Sequence, residues 1–309
     1  MAIPVRVGVV GSGAMGARHL RTWSRLGVAR VLFSPTATHR TRLAADTGSA
    51  AVDSLDQLVD SCDVVDLCTP TDTHWELGMA AAAQHRAVIC EKPLARTVRQ
   101  ARALLASCKD AGVQLFPAHV LRYFRSHAAA RQRAHDGELG DVQSLSLHRA
   151  VDPPAPTSWL RDEERSGGVL LDLMIHDFDY ARWVAGEVVS VRAERDDFAG
   201  VNRAEAWLIH AGGARSHVVG QWGGIVDDRF DIIGSAGTAR SSDAKPDPDG
   251  TDEAELAFGA QLADFSNAIR TGKPARVTAA DGLAALRIAV AAAESQRTGD
   301  SIDLATDAY

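Results

Sequence analysis

The first third of the chain repeats one pattern. Short apolar runs rich in β-branched residues alternate with stretches whose apolar positions recur three and four apart. The runs predict strands buried on both faces, and the longer stretches predict amphipathic helices. Strands are expected over residues 5–10, 28–34, 50–52, 64–68, 87–90 and 113–116, with helices over 14–26, 55–60, 73–84 and 98–111. Alternation at this spacing makes a parallel, doubly wound sheet. From residue 121 the alternation stops. A helix over 125–136 is followed by period-two runs at 142–150, 188–195, 204–210, 216–222 and 230–233, which predict antiparallel strands of a larger sheet with one solvated face. The proline-bearing stretches 152–156 and 241–253 read as loops, and 169–184, 258–271 and 279–297 read as helices. The expected fold class is therefore α/β. Residues 1–120 are expected to form a doubly wound domain, and residues 121–309 an α+β domain with a large, mostly antiparallel sheet.

Composition narrows the partners. A chain of 309 residues exceeds what one core usually serves, in keeping with two domains. The net charge of −7, with no Lys/Arg cluster interleaved with aromatics, argues against nucleic acid and against an acidic membrane surface. No stretch approaches ~18 uninterrupted apolar residues. Residues 1–4 enter the first strand without a charged leader or cleavage signal, so a cytoplasmic protein is expected. Cys62, Cys68, Cys90 and Cys108 lack metal or redox spacing and are expected to be reduced, buried thiols; no metal is expected. Lysine is scarce, four against 29 arginines, which draws attention to Lys92 at a strand end.

The first strand runs into Gly11-Ser12-Gly13-Ala14-Met15-Gly16. This is the spacing of a Rossmann dinucleotide cradle. Gly11 permits the turn, Gly13 lets a pyrophosphate approach the backbone, and Gly16 lets helix and strand pack closely. The phosphates then meet the helix N-terminus at Ala14 and Met15. At the end of the second strand, where an Asp or Glu would hold the ribose 2′-OH of NAD, stands Ser34, followed by Thr36, His39 and Arg40. NAD(P) is the expected cofactor, and without a carboxylate to repel a 2′-phosphate NADP is favoured over NAD, with Arg40 as a forked grip. The competing reading leaves Arg40 and Arg42 solvated on the next helix.

In such a sheet ligands lie at the carboxyl ends of the strands. That rule gathers Gly11, Ser34, Thr69-Pro70, Glu91-Lys92-Pro93 and Pro117-Ala118-His119 on one rim. The X-Pro bond after Lys92 can be cis and can set where the lysine points; a solvated lysine before a turn is the alternative. In the second half, Gly167-Gly168 opens an apolar helix on which Asp172, His176 and Asp179 are expected to share one face. A carboxylate one turn from an imidazole makes His176 a sensible general base, with a satisfied structural pair as the alternative. Removing hydride from an alcohol carbon needs such a base and a positive group near the oxygen, a role suited to Lys92.

Four motifs in this order resemble the glucose-fructose oxidoreductase and inositol dehydrogenase family (Gfo/Idh/MocA) over nearly the whole chain: the glycine cradle, Cys68-Thr-Pro-Thr-Asp-Thr-His74, Glu91-Lys-Pro93, and Gly167-Gly-Val-Leu-Leu-Asp172-Leu-Met-Ile-His176-Asp-Phe-Asp. The resemblance implies an NAD(P)-dependent enzyme acting on a secondary alcohol or ketone of a sugar, inositol or other polyol. It implies proton transfer by Lys92 and His176 with Asp172 as partner, and a cofactor lined by Thr69, Pro70, His74, Glu91, Lys92 and Pro93. Arg122, Tyr123, Trp159 and Arg161 resemble segments bordering the family's active site and, with His119, are expected near substrate. A homo-oligomer, dimer or tetramer, through the sheet domain is expected. Two departures stand out: Ser34 replaces the Asp common among inositol dehydrogenases, and the chain is short in the substrate-selecting half. Two other readings are a non-catalytic NAD(P)-binding sensor or partner protein, and a glycosidase-like enzyme using held NAD.

Overall fold

Arg6–Val10 forms strand β1, buried at every residue after Arg6. In the computed structural model, which describes residues 5–243 and 250–304, β1 is followed by α1 (Ala14–Arg25), β2 (Ala29–Phe33), α2 (Ala37–Thr47), β3 (Ala50–Ala51) and α3 (Leu55–Ser61). The alternation continues with β4 (Val64–Leu67), α4 (Thr71–Ala83), β5 (Ala87–Cys90), α5 (Val98–Asp110) and β6 (Leu115–Pro117). All six strands pair in parallel, in the order β3-β2-β1-β4-β5-β6. Chain order reverses where β1 meets β4, the place at which open α/β sheets bind their ligands.

The later elements are α6 (Arg125–His135), β7 (Val142–Val151), α7 (Glu163–Ser166), a π-helical turn (Val169–Leu173), α8 (Ile175–Ala185), β8 (Val188–Arg195) and β9 (Asn202–His210). They continue with β10 (Arg215–Trp222), β11 (Asp227–Gly234), β12 (Thr238–Arg240), α9 (Glu253–Thr271), α10 (Ala279–Thr298) and β13 (Ile302–Asp303). Seven strands form one sheet, β12-β11-β7-β10-β9-β8-β13, antiparallel except for the β7–β10 pair. Alternation sorts its faces. Ala204, Ala206 and Leu208 of β9 are buried while Trp207 and Ile209 are exposed. The covered face takes the start of α8: a Cβ at Gly220 of β10 would stand 2.3 Å from Met174 Cγ, so only glycine allows this approach.

Both sheets match the expected α/β fold class, yet three expectations need correction. The helix expected over 169–184 is broken: the Met174 amide bonds to the Val169 carbonyl, a five-residue turn, before α8 begins. Strands β12 and β13 were not foreseen. Finally, the compact units are not two contiguous blocks. The first contains residues up to His119 together with Glu255–Gly282, and the second contains Val120–Ala254 together with residues from Leu283. The returning segment is anchored by Phe265 of α9, stacked on Phe116 at 5.0 Å. The expected loop over 241–253 begins with a 3-10 turn at Ser241–Asp243; its residues 244–249, like residues 1–4, lie outside the described residues. The four cysteines are buried free thiols. Among the described residues no helix is long and apolar enough to cross a membrane.

Candidate functional site

The cradle is built by contacts that exclude side chains on one side and leave room on the other. Gly11 has φ +118, and a Cβ there would lie 2.4 Å from the Cys68 carbonyl oxygen. A Cβ at Gly16 would lie 2.1 Å from the Gly11 oxygen. At Gly13, by contrast, a Cβ would meet nothing within 4 Å. Gly13 is also the N-cap of α1, with no side-chain cap and no acidic residue in the first turn. The amides opening α1, at Ala14 and Met15, are thus set out for an anion, and the absent carboxylate removes the group that would repel it. A dinucleotide's pyrophosphate fits this cradle.

At the end of β2 the Ser34 hydroxyl pairs with that of Ser12 at 2.8 Å. Thr36 and His39 are exposed, and Thr36 caps α2 without a side-chain hydrogen bond. Arg40 departs from expectation. It is buried, donates to the Ser34 carbonyl at 2.7 Å, and pairs with Asp53 beyond β3. Its guanidinium ties the strand end down and does not present the forked grip on a 2′-phosphate.

The neighbouring rim loops are held from behind. His74 is buried in α4 with Nδ1 2.8 Å from the Pro93 carbonyl oxygen and Nε2 2.9 Å from that of Thr69. Burial holds its pKa below the ordinary histidine value. His74 therefore joins the Thr69-Pro70 loop to the Glu91-Lys92-Pro93 loop. Thr73 adds hydrogen bonds to the Thr69 hydroxyl and the Pro70 carbonyl, at 2.8 and 2.7 Å. The Lys92–Pro93 peptide is cis. Lys92 is half-buried whereas Glu91 is buried. Glu91 and His74 thus point into the protein and act on the rim indirectly. His119, just after β6, is also buried.

In the second unit Asp172 lies in the π-helical turn and His176 in the first turn of α8, both half-buried. Asp179 does not share the half-buried setting of Asp172 and His176. Asp179 is fully buried and takes both forks of Arg122, at 2.8 and 2.7 Å. Arg122, expected near substrate, is a structural cation whose guanidinium also lies 5.3 Å from the Trp183 ring centre. The residue after His176 matters equally: Asp177 accepts two 2.9 Å bonds from Arg149 of β7, which also reaches Asp228 at 2.6 Å. Burial alone would lower the Arg149 pKa, but Asp177 and Asp228 raise it and keep the guanidinium charged. Two buried ion pairs thus clamp the helix that bears His176. Sequence reasoning missed Asp177 and Arg149, although an acidic residue on each side of a buried Phe178 was the available signal. Tyr123 is buried, Trp159 half-buried, and Arg161 exposed with its Nε bonded to the Pro154 carbonyl at 2.8 Å.

Comparisons with known proteins identify the family. Residues 5–119 match a family model described as an oxidoreductase family with an NAD-binding Rossmann fold, and residues 127–240 match the GFO/IDH/MocA C-terminal domain. A myo-inositol dehydrogenase of Streptomyces leeuwenhoekii is 30% identical over 95% of this chain and 98% of its own. The inositol 2-dehydrogenase of Rhizobium meliloti is 28% identical over 97% of this chain and 99% of its own. The crystal structure of a myo-inositol dehydrogenase from Corynebacterium glutamicum superposes with a TM-score of 0.84 at 25% identity, covering 98% of this chain and 99% of that one.

Proposed function

The chain belongs to the Gfo/Idh/MocA oxidoreductase family, and from that premise we propose that it moves a hydride between a nicotinamide dinucleotide and a secondary alcohol or ketone of a sugar, inositol or other polyol. The observation that carries the reading is the open Gly13 above an uncapped helix end, a cradle shaped for a pyrophosphate. The substrate class is supported by the inositol dehydrogenases among the relatives.

The bound dinucleotide supplies the hydride acceptor or donor. The protein's own groups handle the proton and the charge. Backbone from Gly11 to Gly16 would hold the pyrophosphate, Ser34 and Thr36 would border the adenosine ribose, and Thr69, Pro70 and Pro93 would line the cofactor. In the oxidative direction His176 takes the hydroxyl proton as the carbonyl forms, and the negative charge of Asp172 favours the resulting imidazolium. The Lys92 ammonium opposes charge building on the reacting oxygen. With no carboxylate at position 34, both dinucleotides would be accepted and NADP favoured, since Thr36 and the first amides of α2 would hold a 2′-phosphate that nothing there repels. A homo-oligomer through the sheet unit belongs to the same reading, supported by the exposed Trp207, Ile209 and Ile233.

A panel of inositols, polyols and sugars with NAD and NADP, read at the nicotinamide absorbance, tests the reading. Lys92→Ala and His176→Ala should each lower kcat by about a hundredfold or more while cofactor Kd stays within about threefold. Full turnover by either variant removes that residue from the chemistry. Tight dinucleotide binding with no reduction by any substrate would point to a sensor, and glycoside hydrolysis without net cofactor change would point to the glycosidase-like chemistry.

A further inference from the structure

Behind the Glu91-Lys92-Pro93 loop the parallel sheet encloses a charged chain that the cradle does not require. His19, one turn beyond Gly16 on α1, is fully buried. Its Nδ1 lies 3.0 and 2.9 Å from the two oxygens of Asp66. Asp66 sits in mid-β4, is itself fully buried, and accepts a 2.8 Å hydrogen bond from the Trp23 indole. On the other side His19 Nε2 is 3.1 Å from Oε1 of Glu91, close enough for an ion pair though off the line of a good hydrogen bond. The other Glu91 oxygen accepts the backbone N–H of Lys92 at 3.2 Å. The groups facing His19 are Asp66 of β4, Cys68 just after β4, Glu91 just after β5, and the Phe258 ring of α9, edge-on at 6.0 Å.

Two carboxylates this close together and away from water do not both ionise unless a positive charge separates them. The bridging ring is placed to supply it. Burial by itself, the largest single influence, would lower the His19 pKa, but Asp66 and Cys68 together raise it well above the usual histidine value. Burial and the Asp66 charge push the Cys68 thiol pKa up. Apolar residues would hold this part of the sheet at least as well as ions, as Val7, Val9, Val65 and Leu67 do around them. A buried ionic bridge here makes sense as a device for direction: it fixes which way Glu91 points, and Glu91 holds the Lys92 amide.

We propose that His19 is a positioning residue, an imidazolium held between Asp66 and Glu91 that fixes the Glu91-Lys92-Pro93 loop from inside the sheet. Its kinetic consequence rests on the role given above to Lys92, whereas its spectroscopic test does not. In full-length protein labelled with 15N-histidine, two-bond proton–nitrogen spectra should show both His19 ring nitrogens protonated at pH 7.5, and Asp66→Asn should convert the ring to a neutral tautomer at the same pH. A neutral ring in the wild type at pH 7.5 would overturn the proposal. Hydrogen exchange gives the positional test: His19→Gln should speed exchange at the Lys92 and Leu94 amides tenfold or more, with α5 amides within twofold. Uniform acceleration, or none, assigns the residue to bulk stability and overturns the proposal. Should His19→Gln not fold, Glu91→Gln carries the same comparison. In turnover, His19→Gln should lower kcat at least tenfold with KM within threefold. An unchanged kcat in a protein that Lys92→Ala cripples also counts against the proposal. If Lys92→Ala itself has no effect, the functional reading fails and the spectra still decide the state of His19.

Discussion

His127 illustrates a buried group whose charge state is set by its surroundings. On α6 it packs against Tyr180 and Phe230, each with ring centres 4.7 Å away. Burial, helped by the Arg149 charge, lowers its pKa to about 3. The folded chain therefore holds it neutral while the unfolded chain protonates it near pH ~6.5. The stability it contributes is present above that value and lost as pH falls toward the folded pKa, about 2 kcal/mol of it between pH 7 and 5. His127→Phe should flatten the fall in urea midpoint across that interval, and parallel pH profiles for the two proteins would refute the assignment. The cofactor pocket yields a second expectation. Ser34→Asp should shift binding toward NAD by roughly 1–3 kcal/mol, the scale of a charged hydrogen bond. Asp53→Asn should release Arg40 and move preference toward NADP, by less than 1 kcal/mol because the Asp53 side chain is 85% exposed and its pair with Arg40 is screened. Titrating each variant with both dinucleotides reads the two shifts, and unchanged ratios would show that this loop does not choose the cofactor.

At the scale of one element, α8 shows how the helix that bears His176, the base proposed above, is held by residues given no part in the chemistry. A five-residue turn leads into the helix, and its two internal carboxylates, Asp177 and Asp179, meet arginines from different parts of the second unit. Neither pair is near the surface, so removing one partner strands a charge. Arg122→Met should destabilise the protein by about 3–5 kcal/mol, whereas Arg122→Met with Asp179→Leu should recover most of that loss. Chemical denaturation of the wild type, both single variants and the double variant measures the coupling, and additive effects would mean that the pair is not the clamp. The π-helical turn before α8 belongs to the same device: it widens the helix by one residue, and Asp172 within it is half-buried where Asp179 is fully buried.

The whole molecule adds a dependence that runs against chain order, because the nucleotide unit is completed by residues that follow most of the sheet unit. Phe265, fully buried on α9 and stacked on Phe116, is the test position. Phe265→Ala should cost about 3–5 kcal/mol, with β5 and β6 losing hydrogen-exchange protection while β9 and β10 keep theirs; equal loss in both sheets would contradict the assignment. The sequence by itself determined what is local. Strand and helix periods lie within a few residues of one another, the spacing of Gly11, Gly13 and Gly16 encodes one turn, and Ser34 is identified by its place after β2. These features made the fold class and the cradle legible. Tertiary structure alone decided the partners. His19 meets Asp66 across 47 residues and Arg122 meets Asp179 across 57, and no local pattern marks one of many carboxylates as the one that packing will bring near. Strands as short as β12 and β13 have too few residues to show a period and form because a neighbouring strand offers hydrogen bonds. Arg40 was visible as a charge near the ribose end, but its direction was settled by Asp53, a residue that lies beside it only once β3 has paired with β2.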